Sequence, residues 1–111
     1  MRKKYNIIID ALIKPTLDRH IKFASNVSTK YANSIRKEFY KILLSDLPNN
    51  PERFPFWLPD FKPPKPYQKI LIKKRYLLLF YIDNNTVYID YLLDCHMDTK
   101  NLFENSNFFN L

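Results

Sequence analysis

His96 stands near the end of the chain between Asp94 and Asp98. An imidazole ordinarily titrates at about pH 6.5, so it can take or give a proton near neutrality. Flanked by carboxylates, it suits a general acid or base, and equally a structural or solvated residue. Upstream, Lys62, Lys65, Lys69, Lys73, Lys74 and Arg75 fall within residues 61–76 with no acidic residue among them. Such a run can hold phosphate oxygens and displace their counterions. It can also be a solvated edge that keeps a sheet soluble. Tyr76, Tyr81, Tyr88 and Tyr91 follow. Tyrosines beside lysines can stack nucleobases as single-strand binders do, or simply fill a pleated, half-buried surface.

Other reactive residues carry less. Asp90, Asp94 and Asp98 recur every four residues, which suits a helix rather than a strand, so no metal site is expected. Cys95 is the single cysteine and is expected to be buried. It cannot form an internal disulfide, which fits a reducing compartment. His20 falls on or near an apolar helical stripe and reads as a packing or surface residue. Glycine is absent, which excludes glycine-rich phosphate loops and dinucleotide fingerprints, and no cofactor is expected.

The 111 residues read as one domain, 46% apolar, with a formal charge of +7 that favours acidic or polyanionic partners. The longest apolar run, Tyr76–Ile82, is strand-sized. Only Ile7, Ile8 and Ile9 precede Asp10 as an aliphatic run, too short for a secretory signal, so a cytoplasmic protein is expected.

These residues need a scaffold. Residues 4–10 are short and β-branched and read as a strand. After Pro15, the residues Leu17, Ile21, Ala24 and Val27 form a helical stripe. Ser28-Thr29 is an N-cap pair for a second helix carrying Ala32, Ile35, Phe39, Ile42 and Leu43 to Leu47, where Pro48 stops it. Seven of the eight prolines lie in residues 48–66, which predicts an ordered, irregular loop whose aromatic residues partly pack down. Strands follow over 67–73, 75–83 and 86–93, joined by a Lys-Lys turn and by Asn84-Asn85, where Asn tolerates positive φ. The fold class is α+β: an N-terminal strand, an antiparallel helical hairpin, then a three-stranded antiparallel meander, all in one antiparallel sheet with the hairpin on one face. Alternation puts Val87, Ile89, Tyr91 and Leu93 on one face of the last strand. Lys69, Lys73, Tyr88, Asp90 and His96 would then gather on the face away from the helices.

The stretch Tyr67-Gln68-Lys69-Ile70, the basic turn, Tyr76 to Tyr81, the Asp83-Asn84 turn, Val87-Tyr88-Ile89 and the Leu93-to-Asp98 end resembles the RelE/ParE family of bacterial toxins. Ala32, Leu47, Pro51 and Pro55 match the outline of that family's N-terminal half, so the likeness runs over residues 1–111 as one domain. The resemblance implies the toxin of a type II toxin–antitoxin pair, neutralised by a small acidic antitoxin. RelE-like members are ribosome-associated mRNA endonucleases that inhibit translation, whereas ParE-like members inhibit DNA gyrase without being enzymes. A degenerate module that only retains antitoxin is a third possibility.

The nuclease branch needs groups that deprotonate a ribose 2′-hydroxyl, stabilise charge on the phosphate and protonate the leaving oxygen. Carried over by position, the resemblance points to Lys69 and to His96, with Arg75 lying just before Tyr76, as the catalytic candidates; the basic run and the tyrosines beside it make Lys73, Lys74 and Tyr88 the nucleic-acid-binding candidates. Four positions depart from the family. Gln68 replaces an Arg, Leu77 stands where Arg is frequent, His96 replaces the C-terminal Arg, and Phe103 replaces a Tyr.

Overall fold

The computed structural model describes residues 4–95. Strand β1 is Asn6–Ile9, and the helices α1 (Ile13–Ser25) and α2 (Thr29–Lys41) follow. Strands β2 (Gln68–Ile72), β3 (Tyr76–Asp83) and β4 (Thr86–Asp94) complete the sheet. The fold is α+β, with a four-stranded sheet in the order β1-β4-β3-β2. Neighbours β2/β3 and β3/β4 pair antiparallel. The sheet is mixed, however, because β1 lies parallel to β4, with Asn6 opposite Thr86 and Ile9 opposite Ile89. An all-antiparallel sheet is thus corrected. Parallel neighbours need a long crossover, and the helices, the proline-rich segment and two strands supply it.

Local chemistry accounts for the helices. The Asp10 carboxylate accepts from the Leu12 N–H at 2.9 Å, a local turn that leads the chain from β1 into α1. Pro15 then sits in the first turn, where its missing N–H costs nothing. Ile13, Leu17, Ile21 and Ala24 are buried along one stripe. Val27 does not continue it: α1 ends at Ser25, and Val27 stands exposed in the turn between the helices. Ser28 caps α2, its Oγ accepting from the Tyr31 N–H at 3.1 Å. Pro48 does not stop the helical path. A π turn over Ile42–Asp46 widens the backbone, with the Leu47 N–H reaching the Ile42 carbonyl. Pro48 then rides in a new first turn, Leu47–Asn49.

The sheet carries two cores. On the helix side, Ile70, Ile72, Tyr76, Leu78, Phe80, Val87, Ile89 and Leu92 meet the stripes of α1 and α2. The opposite face is not open as alternation had it. Trp57 and Tyr67 from the proline-rich segment bury Leu77 and Leu79 there, and Phe61 packs beside them. Gln68 clamps this segment from inside the protein, its Nε2 donating to the carbonyls of Pro51 (3.1 Å) and Phe54 (2.8 Å). Leaving such buried acceptors unpaired costs about 1–3 kcal/mol. Residues 55–57 also cover the outer edge of β2, through Lys69 N–H to the Pro55 carbonyl and Trp57 N–H to the Tyr67 carbonyl, both 2.9 Å.

Strict alternation fails in β4 at one residue. Leu79 pairs with Tyr91 but Phe80 pairs with Ile89, so Asp90 is an extra residue, a β-bulge. Beyond it the faces exchange. Leu92 joins the helix-side core, while Tyr91 and Leu93 turn to the Trp57 side. The grouping of Val87, Ile89, Tyr91 and Leu93 on one face is therefore corrected.

Candidate functional site

A groove of about 620 Å³ runs between α1 and the second half of β4. The bulge at Asp90 helps shape it, because re-aiming β4 brings Leu92 and Asp94 toward α1. Leu12, Phe23 and Leu92 give it an apolar lining, Arg19, His20 and Arg75 contribute its basic groups, and Asp10, Asp90 and Asp94 its acidic ones. That volume is typical of sites that enclose a small ligand or one short segment of a larger one.

Arg75 enters the groove from the β2–β3 turn. Lys73 and Lys74 occupy its two central positions at φ 54° and 56°, the left-handed values of a primed hairpin turn. The Arg75 N–H closes the turn on the Ile72 carbonyl at 3.1 Å. Its guanidinium donates to the Asp94 carboxylate at 3.2 Å and lies near the rings of Tyr76 and Phe23, 5.6 and 6.0 Å from their centres. Phe23 is 61% exposed, an unusual setting for a phenylalanine at the rim of a groove.

His20 is half-buried beside these groups, its ring 4.7 Å from that of Tyr76 and tilted by 44°. Burial pushes its pKa down and outweighs the Asp94 charge, which pulls it up; Arg19 and Arg75 add to the lowering. A neutral imidazole keeps a lone pair on one of its ring nitrogens. Sequence reasoning treated His20 as packing or surface. The available signal was its place next to Ile21, at the border of the apolar stripe, where a polar residue can look into a helix–sheet crevice.

The structure disperses the residues singled out from the sequence. Lys73, instead of joining Lys69 on the far face, reaches α2 and pairs with Glu38 at 3.8 Å. Lys69, on β2 opposite Leu79, lies on the Trp57 side of the sheet, away from Arg75 and the groove. Tyr88 also lies on that side, stacked on Tyr81 at 4.9 Å and 14°. Tyr81 in turn touches Tyr67 and carries the Lys65 ammonium 5.2 Å above its ring. Tyr76 belongs to the helix-side core instead. Asp90 accepts from the Tyr67 hydroxyl at 2.7 Å. Cys95 is exposed rather than buried, and its thiol is pushed up in pKa by partial desolvation. His96, Asp98 and Phe103 lie outside the described residues.

A second, smaller cavity of about 420 Å³ lies within the proline-rich segment, between Trp57, Phe61 and Lys65. Among the described residues no helix is long and apolar enough to cross a membrane. No family model, curated protein or solved structure matches the chain.

Proposed function

We propose that this protein is a RelE/ParE-like toxin of the cytoplasm that inhibits translation by cutting mRNA, and that a small acidic antitoxin neutralises it. One observation carries the RNA-directed part: Arg19, His20 and Arg75, with Asp10, Asp90 and Asp94 among them, line a partly apolar groove directly after the basic turn of Lys73 and Lys74. Single-stranded RNA presents phosphates and unstacked bases together, and basic groups around apolar surface answer both. The net charge of +7 would draw the acidic antitoxin and the RNA alike, with association slowing as salt rises.

A second reading has its own support. Lys73 is engaged by Glu38, Arg75 by Asp94, and Lys69 lies on the other side of the sheet. A surface that inhibits DNA gyrase by contact would need no such set brought together. Inducing the protein in bacteria separates the two. Growth arrest with new internal transcript ends and normal plasmid supercoiling is the expected result. Arrest with intact transcripts and altered supercoiling selects gyrase, and no arrest at all leaves only an antitoxin-binding module.

A further inference from the structure

We propose that His20 is the general base of the cleavage, acting within the α1–β4 groove on the 2′-hydroxyl of a single-stranded RNA. This role rests on the RNA-cutting function proposed above. The groups facing the imidazole come from three parts of the fold: Arg19 on α1, Arg75 and Tyr76 where the β2–β3 turn enters β3, and Leu92 and Asp94 on β4. Together they orient a base. Tyr76, itself 2% exposed and fixed in the core, sets the ring's position. The neutral ring keeps a lone pair on one nitrogen for a substrate proton. Burial holds the imidazole in its neutral, basic form at neutral pH.

The neighbours suit the rest of the substrate. Phe23 stands three residues after His20, on the same side of α1, with a largely exposed ring on which a base can stack. Arg19 and Arg75 can meet the charge that grows on the phosphate. A groove of about 620 Å³ has room for a short single-stranded segment.

The reaction balances without any further reagent. The free nitrogen of His20 removes the 2′-hydroxyl proton, and the 2′-oxygen bonds to the adjacent phosphorus. The bond from phosphorus to the 5′-oxygen breaks, and that oxygen takes a proton from water. The products are a 2′,3′-cyclic phosphate and a 5′-hydroxyl end, and the imidazolium returns its proton to solvent.

The test uses the full-length protein in a purified translation system with one defined message, following cleavage rate against pH. Wild type should show kcat rising with pH through one ionisation below the usual histidine value of about 6.5. His20→Gln should lower kcat by about a hundredfold or more, leave KM little changed and abolish that limb. His20→Asn is the second variant, and thermal unfolding checks that each is folded. If wild type cleaves with a flat profile, or a folded His20→Gln cleaves like wild type, His20 is a packing residue and the proposal falls while the nuclease function stands. If wild type leaves the message intact, the nuclease function itself falls.

Discussion

Asp90 combines a half-buried setting, a bulged backbone and a charge. Burial raises its pKa above the ordinary carboxylate value, and Asp10 adds repulsion, while the Tyr67 hydrogen bond and Lys65 pull it back only in part. The folded protein therefore holds the Asp90 proton more tightly than the unfolded chain does. Its contribution is most favourable below about pH 3.9 and is lost as pH rises through the raised folded value. Asp90→Asn keeps an oxygen to accept from Tyr67 and removes the ionisation. It should raise the urea midpoint at pH 7, with the gain shrinking toward nothing as pH falls to the ordinary carboxylate range. A variant less stable than wild type at pH 7 would mean that the charge-assisted bond to Tyr67 outweighs burial. Bulges re-aim side chains, so this bulged residue is also what turns Leu92 and Asp94 toward the groove.

At the scale of elements, the β2–β3 turn stores strain where the basic residues sit. A non-glycine residue in the left-handed region costs roughly 1–2 kcal/mol, and Lys73 and Lys74 both adopt it. Lys74→Gly should therefore stabilise the protein by about 1 kcal/mol in urea unfolding. It should also weaken RNA binding and flatten its dependence on salt by about one phosphate contact. No gain in stability would show the turn to be unstrained; a gain with unchanged binding would show Lys74 to be merely solvated.

Much of this element-level structure is legible in the residues. Ser28 announces the start of α2, Asn84 supplies the positive φ between β3 and β4, and the prolines mark the irregular segment. The remainder depends on tertiary partners. Nothing in residues 6–9 states that β1 pairs parallel, because strand direction follows from the path of the crossover. Asp90 looks like an ordinary outward residue until the pairing with β3 slips by one. Trp57 and Tyr67 were visible as aromatic, but which sheet face they cover depends on the Gln68 clamp. For the same reason Arg75 and the basic turn were legible as candidates, while their meeting with His20 was not.

Over the whole molecule, an excess of positive charge surrounds a sheet packed on both faces, and a groove opens at the α1–β4 seam. A polyanion would be drawn to the molecule by long-range attraction and selected by the groove. The separate placement of Lys69 and Tyr88 gives the Trp57 side of the sheet no share in the chemistry proposed here. The decisive measurement maps 5′ ends on a single message incubated with purified protein and ribosomes. New internal ends bearing 5′-hydroxyls are expected, lost when Arg75→Ala and Arg19→Ala are combined in a protein that still unfolds cooperatively. A message left full-length by wild-type protein, with growth nonetheless arrested when the protein is induced in cells, would contradict the proposed mRNA cleavage.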